Sequence, residues 1–110
     1  MRTDVALLVL AFASAGLPLF AQDGREAFVD NSCDRCHSIA SADIEATVKS
    51  ERMRGPDLSN IGKTREADWL ARYLEKEADI DGKPHRSSFK GSDEELQAIA
   101  AWLAGLEDSS

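Results

Sequence analysis

An all-α fold, three short amphipathic helices joined by long loops, is what the sequence predicts. Three observations carry it. Apolar residues recur at helical spacing in three separate stretches, one serine-led capping box opens the last of them, and no stretch alternates as a half-buried strand does. The chain of 110 residues is 43% hydrophobic with three prolines and seven glycines, which suits one small globular domain and argues against disorder or collagen-like repeats. Its formal net charge of -7 argues against binding nucleic acid through phosphate neutralisation.

From Val5 to Phe20 the chain is almost continuously apolar, behind a short basic start at Met1-Arg2 and ahead of polar Gln22-Asp23. Gly16 and Pro18 interrupt it, whereas a membrane-spanning helix needs about 20 unbroken apolar residues. Residues 1–21 therefore read as a secretory signal peptide cleaved near Ala21, leaving residues 22–110 as one exported, periplasmic-type domain with no stable membrane anchor. Ala13 and Ala15 are also small enough for cleavage, and a retained N-terminal anchor is the alternative.

The first predicted helix covers Gly24 to Ser32, with Ala27 and Phe28 on one side, and runs into Cys33. Residues 38–60 show only weak periodicity before the turn Gly55-Pro56-Asp57-Leu58. Thr64 is the expected N-cap of a second helix reaching about Glu77, whose apolar face holds Trp69, Leu70, Tyr73 and Leu74. Glu66 and Asp68 would favour the positive end of that helix. Asp79 to Gly91 reads as loop. In the third helix, Ser92-Asp93-Glu94-Glu95 forms a capping box, and Leu96, Ile99, Ala100, Leu103 and Leu106 keep helical spacing to Gly105.

The chemistry lies in Cys33-Asp34-Arg35-Cys36-His37, a C-x-x-C-H run. Two thiols so spaced can add to the two vinyl groups of haem, and the adjoining histidine then lies under the iron. Three plainer readings compete. A structural zinc site would have to gather Cys33, Cys36, His37 and His85, with adjacent residues sharing one tetrahedral ion. A thioredoxin-like pair calls for a βαβ setting, and a simple disulfide leaves His37 without a role.

The run sits a dozen residues into the mature chain, followed by the G-P-D-L turn and a C-terminal amphipathic helix, and in this the sequence resembles the small class I cytochromes c. That resemblance implies the class I cytochrome c fold, with helices and loops wrapped around one covalent haem c per chain. It implies that Pro56 offers its carbonyl to His37 and that Leu58 packs on the haem. Cys33, Cys36, His37, Pro56, Leu58, Trp69 and Phe89 then form the haem-binding set, and Gly24 and Phe28 meet Ile99 and Trp102. It also implies electron transfer between redox partner proteins rather than catalysis. A gas-binding sensor or small haem enzyme with an open distal site is the alternative function, and a subunit of a larger redox complex is another.

One part departs from the family pattern. Where a methionine is usual, the loop Gly82-Lys83-Pro84-His85-Arg86-Ser87-Ser88-Phe89-Lys90-Gly91 has none. His85 is the expected distal ligand opposite His37, with Met53 as the alternative and an open, water-bound or lysine-bound iron as the third choice. Charge is also uneven: residues 91–110 carry five acids and no base. The loops around the expected haem hold Lys49, Arg52, Arg54, Lys63 and Arg65 on one side and Lys83, Arg86 and Lys90 on the other. The acidic protein as a whole offers an acidic docking surface for partners, these loops offer a basic docking rim, and the plain alternative is a solvated surface.

Overall fold

The computed structural model describes residues 23–107. Among them are three α-helices and no strand, with two isolated antiparallel bridges, Ile39 to Ile44 and Ile80 to Lys83. The leader expected over residues 1–21 lies outside the described residues, and no described helix is long and apolar enough to cross a membrane.

Helix α1 spans Gly24–Asp30. Its first turn is capped by Asp23, whose carboxylate accepts from Arg25 N–H at 3.0 Å. It stops two residues before the sequence predicts, because Asn31 donates its side-chain amide to Ala27 O and Ser32 turns left-handed at φ 61°. That break frees Cys33–Arg35 to form a separate 3-10 turn carrying the motif.

Helix α2 spans Ala67–Leu74, starting after Glu66 rather than Thr64. Thr64 is occupied in closing the 3-10 turn Ile61–Lys63, where its N–H donates to Ile61 O. At the other end Lys76 adopts φ 64°, its N–H donating to Tyr73 O and that of Glu77 to Arg72 O. These two bonds define a Schellman stop, so the helix ends at Leu74 instead of Glu77. Asp68 and Arg72 pair one turn apart on its exposed side.

Helix α3 spans Asp93–Ala104 and opens with the capping box the sequence predicts. Ser92 Oγ accepts from Glu95 N–H, and Glu95 Oε1 accepts from Ser92 N–H, both at 3.0 Å. Both other helices pack on α3. Ala27 and Phe28 from α1, Leu70 and Ala71 from α2, and Leu96, Ile99, Ala100 and Leu103 from α3 share one buried cluster with Ile39, Ile44 and Leu58. Phe28, Ile39 and Ile99 are fully enclosed, each contributing about 2 kcal/mol by apolar burial.

The α1–α3 crossing is set by two residues. A Cβ at Gly24 would run into Trp102 Cβ and into the carbonyl of Ala98, so only glycine lets the backbones approach this closely. One turn on, the Phe28 ring meets Trp102 edge to face, with centroids 5.6 Å apart. The expected meeting of Gly24 and Phe28 with Ile99 and Trp102 is thus built into the core. Because α1 leads directly into the cysteine motif, this crossing fixes the motif relative to the rest of the chain.

Candidate metal centre

The C-x-x-C-H run folds as a tight turn. Cys36 and His37 N–H groups both donate to Cys33 O, at 3.3 and 3.1 Å. The segment from 47 to 58 then wraps around the turn through its backbone. Thr47, Val48, Gly55 and Leu58 N–H groups donate to the carbonyls of Asp34, Arg35, Cys36 and Ser38, at 2.8 to 3.1 Å. Four carbonyls of the motif loop are thereby satisfied by a segment whose sequence shows no clear periodicity.

This wrap delivers the G-P-D-L turn to His37. The imidazole Nδ1 lies 2.8 Å from Pro56 O. A carbonyl can only accept, so Nδ1 carries the proton and Nε2 presents its lone pair. Gly55 lies flat against the ring, and a Cβ there would collide with the imidazole. Burial lowers the His37 pKa; the Pro56 bond works upward and the nearby His85 downward, and the balance keeps the ring neutral, as a metal ligand must be.

His85 reaches the same place from the loop between α2 and α3. Its Nδ1 sits 2.8 Å from the carbonyl of Ser87, so by the same reasoning its Nε2 is also free. The His37 and His85 ring centres are 6.2 Å apart and their planes differ by 14°. Direct face stacking needs a much smaller separation. Two imidazoles sharing one metal ion through opposed nitrogens, with bonds of about 2 Å, place their centres roughly 6 Å apart. Donor type, tautomer and spacing all fit an iron that His37 and His85 would hold together.

The competing readings of the cysteines lack such support. Both cysteines are free thiols, and no group of three or more potential metal-ligating residues converges among the described residues. Burial, followed by the charge of Asp34, pushes the Cys33 thiol up to about 11. An upward shift disfavours the thiolate that a thioredoxin-like pair uses.

The family model described as Cytochrome c matches residues 21–107. The chain belongs to the cytochrome c family. No curated protein and no solved structure is matched. Membership carries haem-based electron transfer, covalently bound haem c and redox-protein partners as general family properties, and the helical, strand-free architecture is the one the class I resemblance implies.

The remaining predicted site residues take distinct positions in this cytochrome. Leu58 is buried in the shared core, and Phe89 packs at its edge beside Gly91. Met53 is 41% exposed, with its sulfur 3.8 Å from the Arg86 guanidinium. Trp69 stacks on Tyr73 at 4.9 Å, and the Arg65 guanidinium lies over its ring at 4.0 Å. Tyr73, rather than Trp69, meets the His85 ring, edge on at 5.3 Å. The sequence puts Tyr73 on the apolar face of α2, and its spacing of four from Trp69 is the one signal that both rings stand on the same side.

Asp57 holds the G-P-D-L turn in shape, accepting from Ser59 N–H at 2.8 Å and Ala40 N–H at 3.0 Å. Desolvation works upward on its carboxyl, and the Ser59 hydroxyl together with these two backbone bonds outweighs it, holding the group below its ordinary value. A folded-state pKa below the unfolded one adds stability above the unfolded value, and that stability is lost as pH falls through the folded value. Asp57→Asn should therefore be less stable than wild type near neutrality in urea unfolding. The gap should begin to narrow as the pH falls past the ordinary carboxylate value and close only below the lower folded one, where both side chains are uncharged; a gap constant with pH would refute the assignment.

Proposed function

We propose that this chain is an exported monohaem cytochrome c that carries single electrons, and that His37 and His85 would hold its iron. The observation that carries the reading is the pair of imidazoles 6.2 Å apart, each with Nδ1 tied to a backbone carbonyl. Haem iron, when bound, supplies one-electron redox chemistry. Cys33 and Cys36 would anchor the haem through two thioether bonds. His37 and His85 hold their Nε2 atoms ready without any change of tautomer, and the carbonyls of Pro56 and Ser87 keep the rings from rotating. A site whose two ligands are fixed in advance needs little rearrangement between oxidation states. Two such ligands would leave no open position for a gas or a substrate. Histidine–methionine ligation raises the potential, so a bis-histidine site should lie below it.

Measurements on the purified holoprotein test this directly. Its intact mass should equal the chain without residues 1–21 plus one haem, and the haem should survive acid-acetone extraction. His85→Ala should convert the low-spin spectrum to one that binds carbon monoxide, while Met53→Ala leaves it low spin. Extractable haem would remove the attachment claim. The reverse pattern in the two variants would make Met53 the ligand, and a retained leader would contradict export.

The basic rim is the docking face of this reading. Arg86 Nη1 lies 3.5 Å from the carbonyl of Arg52, so cations from segments far apart in the chain gather beside the distal loop. Such charges act on association rate and fade with salt, whose screening length is about 8 Å at physiological strength. Lys83→Glu with Lys90→Glu leaves that tether intact and should slow electron transfer to an acidic redox protein roughly tenfold at low salt. A rate independent of both charge reversal and ionic strength would rule the rim out, and faster transfer in the variant would favour a basic partner on an acidic face.

A further inference from the structure

Lys76 occupies a costly conformation. At φ 64° it is the left-handed residue of the Schellman stop that ends α2, a position that favours glycine because a Cβ crowds the backbone there. Its side chain does not explain the choice through an ion pair, since the one ion pair among the described residues joins Arg72 to Asp68. Instead the ammonium crosses to the loop that carries His85. It donates to His85 O at 2.6 Å and to Arg86 O at 3.1 Å. The next carbonyl, that of Ser87, accepts from the His85 ring itself. Three successive carbonyls of the distal loop are thus occupied, two by one lysine and the third by the ligand.

We propose that Lys76 is a positioning residue for the distal ligand, a clasp by which the end of α2 holds His85 in place to coordinate iron. The assignment rests on the bis-histidine reading above. The loop from Glu77 to Gly91 has no helix and only the Ile80–Lys83 bridge. Ligand geometry that must be held closely therefore needs an outside support, and α2 is the rigid element that supplies it. The left-handed turn at residue 76 reverses the chain, and the long lysine side chain spans from there to the loop. A glycine would complete the helix stop at lower conformational cost but would supply no donor. Tyr73, one turn earlier, presses its ring edge on His85 and completes the support from the same helix.

The test separates a clasp from a helix cap. Lys76→Gly removes the ammonium while easing the backbone, and Lys76→Met removes the charge while keeping the length. Binding of added imidazole to the ferric holoprotein, followed by stopped-flow absorbance, reports how often the distal ligand lets go. The clasp predicts that both variants bind imidazole at least tenfold faster than wild type, that Lys76→Arg restores most of the difference, and that Lys76→Gly unfolds no more easily in urea. Imidazole binding at the wild-type rate in Lys76→Gly and Lys76→Met would overturn the clasp while leaving the ligand assignment standing. In parallel, His85→Ala tests that assignment alone: an unaltered low-spin spectrum there would remove both the bis-histidine reading and the clasp built on it.

Discussion

The hydrogen bond from His37 Nδ1 to the Pro56 carbonyl, 2.8 Å long, is the constraint on which the rest of the molecule is organised, because it decides which nitrogen of the motif histidine keeps a free lone pair. To make it, the chain must bring a turn nineteen residues downstream back onto the cysteine loop. The intervening segment does so through backbone bonds to the carbonyls of Asp34, Arg35, Cys36 and Ser38. Asp57 keeps the turn closed, and Gly55 lets it lie against the ring. The helices serve the same end from outside: α1 delivers the motif, and its tight crossing over α3 at Gly24 and Trp102 fixes where the motif stands.

The distal side repeats the device with different parts. A backbone carbonyl again takes Nδ1 of the histidine, but here it belongs to the loop itself, at Ser87. A local bond of this kind orients the ring without anchoring the loop. Anchoring comes from the other contacts that converge there, those of Lys76 and Tyr73 from α2 and of Arg86 with the 51–53 turn. A small domain with a limited core gains from this economy, since each of its three helices packs in the core and two of them also position the site.

Much of this was legible in the residues, and the pattern of success has a physical reason. The Ser92–Glu95 capping box, the apolar face of α3 and the C-x-x-C-H turn are each determined within a few residues, so local spacing announces them. The Pro56 bond was legible only through the family resemblance, since nothing in local spacing links residue 56 to residue 37. The ends of α2 were misjudged because both are set by non-helical neighbours: Thr64 is claimed by a 3-10 turn, and Lys76 turns left-handed where its type gives no warning. The wrap of residues 47–58 stayed hidden because it is made by N–H and carbonyl groups that every residue possesses. Nothing in local spacing ranks Tyr73 above the larger Trp69, although Tyr73 is the ring that reaches His85.

The central claim, that His37 and His85 face one iron, is tested most directly by electron paramagnetic resonance of the frozen ferric holoprotein. With the two imidazole planes only 14° apart, both rings would act on the same d orbital of a shared iron and lift its degeneracy with its partner. The account predicts a well-resolved rhombic low-spin signal, and near-infrared absorbance of the same ferric sample should lack the charge-transfer band of a methionine sulfur. A high-spin spectrum, or a low-spin one accompanied by that band, would contradict it.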